Sequence, residues 1–178
     1  NPAPADWPMW RRTLNNWGYS PLDEVTRRNV AQLKMVWTRP LADGDQEGTP
    51  LVHDGILYFP LSPSRTIIAA DAGTGQTLWT WRPPQDERES RAARTYARGV
   101  AYWKNGTDER IVTITPGMRL VSLNAKTGQP MGGFGVNGAV DLFEQLDLDY
   151  KGDVTGRIGN SSPPVISNDV IIVGPAGT

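Results

Sequence analysis

Ile67-Ile68-Ala69-Ala70-Asp71-Ala72-Gly73-Thr74-Gly75-Gln76-Thr77-Leu78-Trp79 is the stretch on which the fold turns. The apolar run to Ala70 reads as a strand, and Asp71 can accept hydrogen bonds from the backbone of the turn that follows. Gly73 and Gly75 allow the positive φ at which a chain reverses. Trp79, on the outgoing strand, needs a surface against which to bury its indole. A second copy is Leu120-Val121-Ser122-Leu123-Asn124-Ala125-Lys126-Thr127-Gly128-Gln129-Pro130-Met131. Asp71/Asn124, Thr74/Thr127, Gly75/Gly128 and Gln76/Gln129 align without a gap, so the chain contains a repeat.

The repeat has further rows. Thr49–Phe59 aligns with Pro163–Val173, and both are short β-branched and aromatic runs around an Asp-Gly or Asn-Asp hairpin. Arg98–Ile114 has the same plan around Asn105-Gly106. Each unit is a hairpin, a strand, a glycine turn and a strand. Four short antiparallel strands in about 40–60 residues predict an all-β chain built of β-propeller blades.

Composition narrows the function classes only a little. The 178 residues are 38% hydrophobic with a net charge of −1, so neither a nucleic-acid surface nor a polybasic membrane patch is expected. The absence of cysteine removes disulfides and thiolate metal sites.

Taken in order, residues 1–45 form a lead-in. Within it Leu33–Arg39 reads as a strand that helps close the ring, and Val25–Gln32 as holding a short helical turn. Residues 46–94 form a first blade, ending in Pro83-Pro84 and a charged loop, 85–94, read as a solvated excursion. Residues 95–135 form a second blade, with Gly132 where Trp79 stands in the first. Residues 136–178 hold an insertion with acids at Asp141, Glu144, Asp147, Asp149 and Asp153, then the first half of a third blade. Those acids lack the spacing and terminal Glu of a calcium loop. A blade buries its faces only against neighbours, so two and a half blades are expected to belong to a longer ring.

Asp6-Trp7-Pro8, Arg12, Tyr19-Ser20-Pro21-Leu22, Asn29-Val30 and Leu33 resemble the N-terminal signature of the pyrroloquinoline quinone (PQQ) dependent dehydrogenases, although Arg11 stands where that family usually has Gly. The two Asp/Asn-x-x-Thr-Gly turns look like its tryptophan-docking repeats. The resemblance implies an eight-bladed propeller with PQQ and a calcium ion on its axis, in the periplasm. It also implies oxidation of an alcohol or an aldose sugar, with electrons passed to ubiquinone or a cytochrome c, and it is compatible with a homodimer. Methanol-oxidising members usually carry adjacent cysteines where Ala92-Ala93 stand here. Phe134-Gly135, Gly138, Val140-Asp141-Leu142 and Ser162-Pro163-Pro164 look more like the sugar-oxidising branch, so both substrate classes stay open.

Carried over residue by residue, the resemblance implies that Glu47 contacts PQQ, that Arg98 holds it and that Ser161 lines its wall. Ala176-Gly177-Thr178 would form another wall by close backbone approach. The catalytic Asp and the calcium ligands are expected beyond Thr178, so no catalytic or metal residue is assigned within the chain. Physical chemistry is compatible with this set, because a planar guanidinium fork suits carboxylates. Read alone, Glu47 is a solvated loop acid and Arg98 a strand cap able to pair with Asp108 or Glu109. Ser161, with Asn160 and Ser162, would serve turn chemistry, and His53 falls in a hairpin with no catalytic assignment. A second class also stays open: a non-catalytic propeller of the same repeats serving as a protein-binding scaffold.

Overall fold

The apolar runs become strands in the expected order. In the computed structural model, which describes residues 2–41, 45–93, 95–144 and 152–177, Leu51–His53 (β1), Ile56–Pro60 (β2), Ile67–Asp71 (β3) and Thr77–Trp81 (β4) form one antiparallel sheet in sequence order. After a short helix, Glu87–Arg91 (α1), a second such sheet runs through Ala101–Asn105 (β5), Asp108–Ile114 (β6), Arg119–Asn124 (β7) and Ala139–Asp141 (β8). Ile158–Gly159 (β9) precedes the hairpin Val165–Ser167 (β10) and Val170–Ile172 (β11), and Ala176–Gly177 (β12) returns to pair with β9. Asp147, Asp149 and Thr178, singled out above, lie outside the described residues, as does Arg94.

The two glycine turns are built alike. The Thr74 N–H donates to Asp71 Oδ1 (2.7 Å) and the Thr127 N–H to Asn124 Oδ1 (3.0 Å). The N–H of Gly75 and of Gly128 each closes the turn on the carbonyl of Asp71 or Asn124, at φ of +72° and +70°. The Trp79 indole lies on Gly128 and its Nε1–H donates to the Ala125 carbonyl at 2.9 Å. Trp37 repeats the contact one unit earlier, on Gly75, with Nε1–H donating to the Ala72 carbonyl at 3.0 Å.

Alternation along the strands fills the spaces between units. Ile67, Ala69 and Trp79 of the first sheet meet Ile111, Val121 and Leu123 of the second in one core. Val112, Ile114 and Leu120 point the other way, towards Ile158, Ile166 and Ile171. Phe134 and Val140 also pack on that second core.

Three expectations differ in detail from the structure. Leu33–Arg39 has no ladder partner among the described residues, and Met35 and Val36 are 81% and 83% exposed; a strand that closes a ring pairs with a later unit rather than with the blade it precedes. Trp37 and Arg39, which donates to Thr77 Oγ1 at 2.7 Å, hold it in place. The helical turn is the 3₁₀ turn Val30–Gln32, preceded by Asn29, whose Oδ1 accepts from the Thr26 N–H. Second, the last strand of the second sheet, β8, falls past residue 135. Pro130 has no N–H for the ladder and makes a single bridge to Leu123. Met131 donates to the Ser122 carbonyl, the chain loops out, and pairing resumes where the Ser122 N–H donates to Gly138.

Third, the charged stretch is a docked helix rather than a solvated loop. Asp86 caps α1 by accepting from the Glu89 N–H. Arg88 grips Asp141 with both terminal nitrogens, donates through Nε to the Gly117 carbonyl (2.6 Å) and lies 4.5 Å over the Phe143 ring. The Glu89 carboxylate accepts from the Gly117 N–H, the Thr115 hydroxyl and Arg119. Both peptide groups of Gly117 are therefore read by one turn of helix.

Two predictions follow from these contacts. A Cβ on Gly128 would lie 2.6 Å from the Trp79 ring, whereas one on Gly106, also at positive φ, meets nothing within 4 Å. Gly106→Ala should cost about 1–2 kcal/mol in backbone strain alone. Gly128→Ala should cost about 3–5 kcal/mol, because it also unseats the indole. Chemical denaturation of both variants checks this, and equal losses would contradict the seating. The hydrogen bonds from Arg88 hold the Asp141 carboxyl below its ordinary value. The folded value lies under the unfolded one, so the stabilisation is complete above about pH 4–5 and is lost as pH falls through the folded value. Arg88→Met should lose on the order of 1–2 kcal/mol at neutral pH, and the gap in melting temperature should narrow as pH falls towards 3, leaving the remainder owed to the Gly117 carbonyl and Phe143 contacts. A gap as large at pH 3 as at pH 7 would show that the ion pair is not its source.

Candidate functional site

Three lead-in segments run side by side at the entrances to the three units. The Thr49 N–H donates to the Arg98 carbonyl (2.9 Å), and the Arg98 N–H donates to the Ser161 carbonyl (3.2 Å). The approach is close enough that a Cβ on Gly48 would lie 3.1 Å from the Ala97 carbonyl oxygen. Glu47, Arg98 and Ser161, far apart in sequence, thus become neighbours. β12 lies next along the third lead-in, paired with β9 just before Asn160, and the Asn160 amide donates to the Gly174 carbonyl at 2.8 Å. That puts the Ala176–Gly177 backbone beside the same segment.

Arg98 Nε donates to Glu47 Oε2 at 3.1 Å. Both side chains are more than a third exposed, so the pair is worth about 0–1 kcal/mol. The terminal nitrogens of Arg98 and the half-buried Ser161 hydroxyl have no partner among the described residues. The alternative partners of Arg98 are engaged elsewhere: Asp108 with Arg110, and Glu109 with Tyr102, Lys104 and Lys126. His53 is tied to Asp6 through Nδ1 at 2.8 Å, with the Asp54 N–H on the other Asp6 oxygen. Together with the Trp7–Val52 bridge, this pins the first residues to the edge of β1.

The loop 61–66 holds the lead-ins in place, and sequence reasoning missed it. The Gln46 side chain pairs with both backbone groups of Ser62 (2.8 and 3.0 Å), fixing the segment that carries Glu47. Ser62 Oγ accepts from the Ala97 N–H. Arg65, 4% exposed, donates to Thr95, Tyr96, Ile114 and Asn160. Burial lowers its pKa to about 10, opposed by the Glu89 charge, so it stays a cation at neutral pH. The available signal was an arginine at the threshold of a fully buried strand. Beside this loop a cavity of about 640 Å³ opens between Ser64, the start of α1, Ala92-Ala93 and Thr95. Among the described residues no group of three or more His, Asp or Glu side chains is arranged to hold a metal ion.

Residues 7–178 match the β-propeller domain of the PQQ-dependent glucose, ethanol and alcohol dehydrogenases. The chain belongs to that family. It is 40% identical over 129 residues to the dehydrogenase subunit of a quinone alcohol dehydrogenase of Gluconacetobacter polyoxogenes, covering 71% of this chain and 17% of that protein. It is 29% identical over 201 residues to a quinoprotein glucose dehydrogenase of Gluconobacter oxydans, covering all of this chain and 24% of that one. Among solved structures, the quinohemoprotein alcohol dehydrogenase ADHIIG of Pseudomonas putida superposes with a TM-score of 0.75 at 28% identity, over 98% of this chain and 23% of that one. A europium-containing methanol dehydrogenase superposes with a TM-score of 0.76 at 23% identity, over 98% of this chain and 28% of that one, a likeness of fold alone. The chain thus spans about a sixth to a quarter of these relatives, and the all-β propeller expectation agrees with the family.

Proposed function

We propose that Glu47, Arg98, Ser161 and the backbone of 176–178 form part of the cradle for PQQ in a PQQ- and calcium-dependent dehydrogenase. The enzyme would oxidise an alcohol or an aldose sugar in the periplasm and pass electrons to ubiquinone or a cytochrome c. The observation that carries the reading is the meeting of Glu47, Arg98 and Ser161 at adjacent lead-ins, in a chain that matches the family from residue 7 onward.

The donor set suits the ligand. PQQ is a tricarboxylate whose o-quinone takes up the two electrons of the oxidation. Arg98 offers two terminal nitrogens in a plane, which match a carboxylate or an adjacent pair of oxygens, and Ser161 offers a hydroxyl. Glu47 takes the Arg98 Nε and leaves both terminal nitrogens for a ligand. It also neutralises part of the guanidinium charge, which makes Arg98 an orienting donor as much as a bare cation. Gly48 and Gly99 keep the wall thin enough for three segments to run side by side. No catalytic base and no calcium ligand is assigned to this chain.

In the full-length protein Arg98→Ala should lose PQQ and turnover together, with kcat lower by about 10²–10³. The melting temperature of the cofactor-free protein should barely move, because the exposed pair with Glu47 contributes little. Arg98→Lys should recover part of the loss, keeping the charge without the fork. PQQ content, kcat and melting temperature measured on one preparation decide the matter. Normal PQQ content with a lowered melting temperature would identify Arg98 as a strand cap instead.

A further inference from the structure

Arg65 is the buried cation of this region, and nothing in the proposed chemistry uses it. Its side chain enters from the loop 61–66 and spans three segments. Nη1 donates to the Ile114 carbonyl at 2.9 Å. Nη2 donates to Thr95 Oγ1 at 2.6 Å, to the Tyr96 carbonyl at 3.4 Å and to the Asn160 carbonyl. Every partner is neutral, and Nε has none among the described residues. A buried guanidinium whose hydrogen bonds go only to carbonyls and a hydroxyl, with the Glu89 charge acting on it from outside that set, is expensive to desolvate. Cores built for stability alone would fill such a space with apolar side chains.

What the arrangement accomplishes is positional. Tyr96 lies two residues before Arg98, and Asn160 one residue before Ser161. The Asn160 carbonyl accepts from Arg65 and also from Thr95 Oγ1 (2.7 Å), while that same Thr95 hydroxyl accepts from Arg65. Arg65, Thr95 and Asn160 therefore close a three-membered clamp across the two lead-ins. The clamp lies three residues before Arg98 and one residue before Ser161, next along both segments to the backbone hydrogen bond from Arg98 to Ser161. We infer that Arg65 is a positioning residue for the cofactor cradle: it fixes the spacing of the second and third lead-ins so that the Arg98 fork and the Ser161 hydroxyl address one ligand. Only a guanidinium reaches all of these acceptors from one planar head, and an ammonium would hold fewer of them in the same directions. The inference rests on the PQQ reading above.

The test uses the full-length protein stripped of cofactor and titrated with PQQ, reading quenching of tryptophan fluorescence, with the melting temperature of the apo-protein measured in parallel. Arg65→Lys keeps the charge and breaks the clamp; Thr95→Val is nearly isosteric and removes only the hydroxyl. Each should raise the Kd for PQQ by about tenfold, the loss of roughly one charge-assisted hydrogen bond. Arg98→Ala combined with Thr95→Val should show little further loss, because the clamp acts through Arg98. If Arg65→Lys is not recovered folded, Thr95→Val alone decides. A parent protein that does not bind PQQ overturns the cofactor reading and the clamp with it. A parent that binds, with Thr95→Val binding equally well, overturns the clamp alone, even if that variant melts lower.

Discussion

The seating of an indole on the glycine turn of the following unit is the contact on which the rest of the structure depends. Trp79 on Gly128 joins the first sheet to the second, and Trp37 on Gly75 joins the lead-in to the first. Each contact combines two demands. The glycine must lack a Cβ, and the turn must present its carbonyl to the indole N–H. The Asp/Asn-x-x-Thr-Gly chemistry satisfies both by fixing the turn from within. Burying such a side chain is worth about 1.5–3 kcal/mol, and here it also sets the distance at which two sheets face one another. With that distance set, Ile111 and Leu123 close on Ile67 and Ala69.

Stacking at a fixed separation brings the starts of successive units side by side. Residues 49, 98 and 161 then exchange backbone hydrogen bonds, although they belong to different units. A propeller of this kind turns sequence-distant residues at equivalent positions into neighbours, which suits binding of a flat, multiply charged ligand. The polar supports are not repeated from unit to unit. Gln46, Ser62, Arg65 and Thr95 make contacts specific to this edge. The proposed cradle is thus made of side chains that depart from the repeat, mounted on a frame that obeys it.

The frame was readable because its determinants are local. Asp71 and Asn124 bond to residues three positions on, and the hairpin at Asn168-Asp169 repeats that at Asp54-Gly55, both at positive φ. Glu47, Arg98 and Ser161 were readable only through resemblance, since nothing in their immediate sequence says that they meet. The helix Glu87–Arg91 was not readable at all. It is five residues long, with charges that look solvated, and its reasons for ordering lie at Gly117 and Asp141. Arg65 was missed for the same reason, with acceptors 30 or more residues away. Leu33–Arg39 has strand-like composition, but composition supplies no ladder partner.

The central claim is that three lead-ins, spaced by indole seating and clamped by Arg65, form one wall of a PQQ site. A crystal structure of the full-length protein with PQQ bound tests it most directly. The account predicts terminal nitrogens of Arg98 and the Ser161 hydroxyl within hydrogen-bonding distance of PQQ oxygens, with Arg65 still on the Asn160 carbonyl. PQQ bound away from these lead-ins, or Arg98 engaging Glu47 alone while the cofactor is held by other residues, would contradict it.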